Sequence, residues 1–120
     1  MAMREPGAGE LSRRVLIRQR EDLPADIDAD LSSTFPRQVT VWAKVEPVGA
    51  AIYSASVQTG EAITHRITLR YRPGITSDFE IVTRLRGRQT VYRVRRSAPL
   101  GTAHRFLVLE VEELWTPPAP

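Results

Sequence analysis

The chain has no cysteine, which excludes a disulfide framework, a thiolate metal site and a cysteine nucleophile together. It has two histidines, His65 and His104, far apart in sequence and too few to hold a metal by themselves. No apolar run approaches the roughly 20 residues that a membrane span needs. No apolar stretch follows Arg4, so no secretory signal is read. Cytoplasmic synthesis and no membrane partner are therefore expected. No serine lies in a Gly-x-Ser-x-Gly or comparable setting, and with no nucleophile, base and orienting acid in view an enzyme is not expected, nor is any cofactor. Lysine is almost absent as well. Lys44 stands alone, and the rest of the positive charge is arginine, the cation suited to planar, bidentate pairing.

What is present is ordinary in amount and particular in order. A length of 120 residues with 42% hydrophobic and 26% charged content fits one soluble domain with one core. Residues 13–20 alternate, with Val15 and Ile17 on one face and Leu16, Arg18 and Arg20 on the other. Residues 38–46 turn Val39, Val41, Ala43 and Val45 inward and Thr40, Trp42, Lys44 and Glu46 outward, until Pro47 ends the strand. Residues 48–58 lose the two-residue period and place Ile52, Ala55 and Ser56 on one helical face, which predicts a short helix. Residues 64–72 set His65, Ile67, Leu69 and Tyr71 against Thr64, Arg66, Thr68, Arg70 and Arg72, and Pro73-Gly74 stops them. Residues 79–86 bury Phe79, Ile81 and Leu85, Gly87 turns the chain, 90–96 bury Tyr92 and Val94, and 105–113 are apolar on both faces. About six short strands with one short helix and a long loop predict a mainly β fold, a small antiparallel β-barrel or sandwich. Residues 1–12 read as an N-terminal extension, 13–114 as the barrel domain, and 115–120, with three prolines, as a tail that cannot extend the sheet.

Charge is divided along the chain. Residues 21–62 hold seven acids against Arg37 and Lys44, and residues 63–105 hold ten arginines against Asp78 and Glu80. The net charge of +3 is too small to argue for nucleic acid alone, but the two stretches are electrostatic complements. Residues 21–36 are long for a connection and rich in acid and proline, and read as a protruding loop. Its Asp26, Asp28 and Asp30 have the alternate spacing of calcium ligands. Leu31 and Arg37 stand where an EF-hand needs glycine and glutamate, so the reading is an acidic solvated loop. Trp42, on a polar face, predicts either an interface hot spot or cover by the 48–58 helix. Arg66, Arg70 and Arg72, with Arg84, Arg86, Arg93 and Arg95, form rows that suit either acids on a neighbour or DNA phosphates. No aromatics interleave them, which argues against single-strand binding.

Gly9-Glu10-Leu11 before a basic strand, Val41-Trp42-Ala43-Lys44-Val45-Glu46-Pro47, Thr64-His65-Arg66-Ile67 and Arg70-Tyr71-Arg72-Pro73-Gly74-Ile75 resemble, in this order and spacing, the bacteriophage head-tail joining family. These are the adaptor, head-completion or stopper proteins of long-tailed phages. The later Gly87-Arg88, Val91-Tyr92-Arg93-Val94 and the closing apolar strand from Phe106 also fit. The loop departs from the family pattern: Asp26 to Asp30 has no glycine, and Phe35 stands where an aromatic is expected. The resemblance implies a small β-barrel that assembles as a ring below the portal, closes the DNA-filled head and receives the tail. It implies portal or adaptor proteins of the neck and tail-side proteins as partners, a monomer or weak oligomer when alone, and a place in the virion neck of a free phage or prophage. On this reading Asp26, Asp28, Asp30, Phe35, Trp42, Arg66, Arg70 and Arg72 meet partners or neighbouring copies, and Arg84 and Arg86 face a DNA channel. The alternative is a small nucleic-acid-binding β-barrel.

Overall fold

A computed structural model describes residues 5–7, 9–20, 38–101 and 103–114. The chain forms β1 (Arg13–Gln19), β2 (Gln38–Pro47), α1 (Ala50–Gln58), β3 (His65–Arg70), β4 (Phe79–Leu85), β5 (Arg88–Leu100) and β6 (Phe106–Glu113). The strands close into a barrel in the order β1-β2-β3-β6-β5-β4, and every pairing is antiparallel. Alternation decides what is inside. Val15, Ile17, Ala43, Ile67, Leu69, Ile81, Val94, Leu109 and Val111 point inward and are essentially inaccessible, with Val39, Val41 and Val45 packed against them.

Two family-like motifs close the two ends of the core. At one end the Thr64 hydroxyl accepts a hydrogen bond from the Glu113 N–H at 2.7 Å, and the Thr64 N–H donates to the Val111 carbonyl at 2.9 Å. His65 then turns inward and meets Tyr92 edge-on, with ring centroids 5.0 Å apart. At the other end, Gly74 takes a left-handed φ of 86°, which a side chain would disfavour, and the turn folds Ile75 back over the core. The Tyr71 N–H donates to Arg105 and the Ser97 hydroxyl to Ile75, which fastens this return to the strands beside it.

Several side chains depart from simple alternation. Leu85 and Tyr71, expected inside, are 57% and 46% exposed, because each lies where its strand runs past the packed layer. Thr68, expected on the solvent face, is buried, held by register between Lys44 and Val108. β5 is longer than the pattern suggested. A bulge between Val94 and Arg96 inserts Arg95 and flips the phase, so Arg96 lies outward opposite Glu110 instead of entering the core.

These placements set an expected contrast in stability. Leu109→Ala, at a position with no exposure, should cost about 2–5 kcal/mol, whereas Leu85→Ala should stay within about 0.5 kcal/mol. Urea unfolding of the two variants checks this, and comparable losses would contradict the closed barrel.

Candidate assembly surfaces

Closure leaves the outer face, the barrel ends and α1 for function. On the outer face, cross-strand neighbours alternate in charge. Register aligns Glu46, Arg66, Glu110 and Arg96 across four strands, and Arg18, Glu80, Arg93 and Glu112 across four more positions. Arg66 and Arg96 both reach Glu110, at 3.6 and 2.8 Å, Arg18 meets Glu80 at 3.0 Å, and Arg95 pairs with Glu112. Within the arginine rows Arg66 and Arg95 are answered by acids of β6, and Arg93 lies in register between Glu80 and Glu112. Arg66 in particular meets Glu110 of its own chain. Such pairs contribute little each at a surface but fix which neighbours tolerate one another.

The arginines outside these ladders separate into two places. Arg70, at the end of β3, and Arg72, just beyond it, are exposed and have no acid partner among the described residues. The Ala43–Leu69 register puts Arg70 beside Trp42, which is 54% exposed, and Arg14 lies over the indole at 5.4 Å, a cation–π contact. Cover of Trp42 by α1 is thus excluded, since its neighbours are arginines and the N-terminal segment. Gly9, Leu11 and Ser12 of that segment join Trp42 and Arg70 around an open groove of about 500 Å³. The segment is pinned by Glu10 to Lys44 at 3.4 Å and by Glu5 to Arg105 at 2.6 Å. Arg84, bonded to Gln89, and Arg86 sit instead on the β4–β5 hairpin, at the barrel end opposite to Arg72. Asp26, Asp28, Asp30 and Phe35 lie outside the described residues.

Sequence reading missed the outer surface of α1. This nine-residue helix carries no charge, and Ile52, Tyr53 and Val57 are 39%, 44% and 47% exposed. It is held mainly through Ser56, the one buried residue in it, whose hydroxyl donates to the Tyr53 carbonyl at 2.7 Å and accepts from the Ile63 N–H at 2.9 Å. Ile52, Ala55 and Ser56 share a groove of about 510 Å³ with Arg66, Arg96 and Glu110, so α1 lies against the β3-β6-β5 side. The signal was available: an uncharged helix with apolar residues on every side has no natural solvent face.

No group of three or more potential metal ligands occurs among the described residues, and no helix there is long and apolar enough to cross a membrane. The perturbed groups belong to packing. Burial holds the His65 ring below the ordinary histidine range against a smaller opposing pull from Glu113, and burial likewise raises the Tyr92 phenol. Asp78, at the surface, is lowered by hydrogen bonds from Gln19 and Thr76.

Comparison with known proteins gives two findings. The sequence matches the family described as phage head completion protein over residues 6–114. The fold is similar to the solution structure of protein SF1141 from Shigella flexneri 2a, with a TM-score of 0.61 and 24% identity, covering 90% of this chain and 96% of that one. No curated protein matches the sequence.

His65 supplies a test of the packed end. Its folded pKa lies below the unfolded value, so the unfolded chain takes up the proton first. Stability present at neutral pH should therefore fall as pH drops through about 6.5 and level off once the folded ring protonates. His65→Gln should flatten that part of the melting temperature curve between pH 7.5 and 5, and an unchanged slope would remove His65 as its source.

Proposed function

The chain belongs to the phage head completion protein family, whose members are structural proteins of the phage head rather than enzymes, and we propose that it acts as a ring of identical subunits below the portal. The ring closes the DNA-filled head and joins it to the tail. It is built without chemistry, by surfaces that fit.

One observation carries this reading: two unlike exposed surfaces lie on different sides of one closed barrel. Trp42 with Arg14 and Arg70 faces out from β1 to β3, and α1 lies against the β3-β6-β5 side. Two different patches on adjoining sectors of the barrel suit a heterologous, head-to-tail contact, which closes into a ring when the rotation allows. Trp42 has the character of an anchor residue, large and flanked by arginines, and α1 offers Ile52, Tyr53 and Val57 to receive it. Arg70 and Arg72 take acids of the neighbour or of the portal side, and the sequence 21–36, with Asp26, Asp28, Asp30 and Phe35, supplies such acids in each copy. A single small domain with a charged periphery stays monomeric or weakly associated until a portal template gathers it.

Two variants test this in a phage whose own copy of the gene is replaced. Trp42→Ala and Arg70→Glu/Arg72→Glu alter exposed positions, so both proteins should melt close to the parent. Both should leave DNA-filled heads without tails, with infectious particles down by about tenfold or more, the loss of at least one anchor contact. Normal numbers of tailed particles from both variants would overturn the arrangement. Light scattering of the isolated parent at micromolar concentration should show a monomer, and a stable ring without partners would remove the template step.

A further inference from the structure

The barrel end that carries the β4–β5 hairpin holds a second cluster of arginines that neither the charge ladders nor the Trp42 surface uses. The hairpin turns through Arg86 and Gly87, both left-handed with φ of 55° and 78°, the two-residue geometry whose twist matches that of paired strands. Arg88 begins the returning strand, and Arg13 begins β1 beside it. Arg13, Arg86 and Arg88, with the hydroxyl-bearing Thr83, Thr90 and Tyr92, line an open groove of about 440 Å³. Leu85 forms the apolar part of its wall.

The charge in this groove is of one sign. No carboxylate lines it, and Arg13, Arg86 and Arg88 have no acid partner among the described residues. Arg18, Arg66, Arg95, Arg96 and Arg105 each meet a glutamate, and the arginines without one gather at the Trp42 side and at this groove. Here the ladder stops. Across the hairpin the register pairs Thr83 with Thr90, Arg84 with Gln89 and Leu85 with Arg88, so no acid faces an arginine. Three mutually repelling guanidiniums around one concavity, walled by hydroxyl groups, lack only an anion.

We propose that this groove binds the phosphate groups of duplex DNA, without reading its sequence. Guanidinium forks bind phosphate oxygens bidentately, and the Thr90 hydroxyl can donate beside them, while Thr83 and Tyr92 are buried and bond each other. A protein partner is the weaker fit, because protein hot spots centre on large anchors, and this groove has Leu85 where the other surface has Trp42. That the polymer is DNA rests on the assignment of the chain to the DNA-filled head; the anion site rests on the groove alone. The hairpin end of the ring then meets the packaged duplex, and Trp42 and α1 hold the ring together.

The test uses the full chain and a fluorescent 30-base-pair duplex, with anisotropy read at several salt concentrations. Arg86→Asn/Arg88→Gln removes two of the arginines while Asn keeps the left-handed turn comfortable. Binding at 50 mM salt should weaken by about tenfold or more, and the slope of log affinity against log salt should fall by about 2. Lys44→Ala/Arg105→Ala removes equal charge from acid-paired positions and should bind as the parent does. Equal losses in both variants would show that net charge alone attracts DNA and overturn the site, as would a parent that does not bind. Binding of polyglutamate in place of the duplex would assign the groove to an acidic protein, and saturation by inorganic phosphate with no duplex binding would assign it to a free anion. Tail joining in phage carrying Arg86→Asn/Arg88→Gln separates the two readings: the ring proposal requires it intact, whatever the duplex does.

Discussion

The structure depends on β1 being hydrogen-bonded along both edges, to β2 on one side and to β4 on the other. Val15 and Ile17 complete the interior from this strand, and Arg18 brings Glu80 of β4 into a partly buried pair on its outer side. Closure of this kind leaves no strand edge to recruit another chain. Association by strand addition, the simplest way for β-proteins to join, is thereby removed. What remains is contact through side chains, loops and the helix. That constraint is what makes the exposed Trp42 and the uncharged α1 the surfaces on which the proposed contacts rest.

The outer charges follow from the same closure. In a barrel, each outward residue has neighbours on two flanking strands, so an arginine between two acids is satisfied on both sides while a single acid can serve two arginines, as Glu110 does for Arg66 and Arg96. The bulge at Arg95 keeps this pattern in phase on β5. Its side chain pairs with Glu112, although its Nε is buried without a partner, so the inserted residue is less completely satisfied than its neighbours. The ladders hold register and neutralise Arg18, Arg66, Arg95 and Arg96. The strand acids lie on β2, β4 and β6 alone, so an arginine of β1, β3 or β5 is answered only where register sets it opposite one of them.

Much of this could be read before any coordinates. The two-residue period in β1 to β4 assigned Val15, Ile17, Ala43, Ile67, Leu69 and Ile81 to the interior, and the loss of that period announced α1. Antiparallel pairing and about six strands followed from spacing and turn residues, including Gly87. Two of the motifs that, by their joint order and spacing, pointed to the family, Thr64-His65 and Pro73-Gly74-Ile75, close the two ends of the core. Periodicity carries no information on where a packed layer stops, so Leu85 and Tyr71 were placed inside. Nor does it reveal a bulge, since one inserted residue changes the phase without changing composition. The surface was least legible. The division of acids and arginines by stretch of sequence does not show pairs within the chain, which are set by register, and β6 brought Glu110 and Glu112 to arginines some fifteen to forty-five residues away.

Register therefore sorts the arginines by task more sharply than their number or net charge does. Those within the ladders stabilise the barrel locally and have little left to offer a partner. Arg14 and Arg70 flank an aromatic on the side wall, a setting in which a planar cation adds both area and charge to a protein contact. Arg13, Arg86 and Arg88 surround a concavity at one end with hydroxyls and no acid, a setting that favours a diffuse, multiply charged ligand. Neighbouring residues of one strand serve both surfaces, Arg14 toward Trp42 and Arg13 toward the hairpin groove, because alternation sends them in different directions. In the ring proposed above, contacts on the wall and at the hairpin end can then be changed separately, which is the arrangement a subunit needs if it must hold its neighbours and face a polyanion at once.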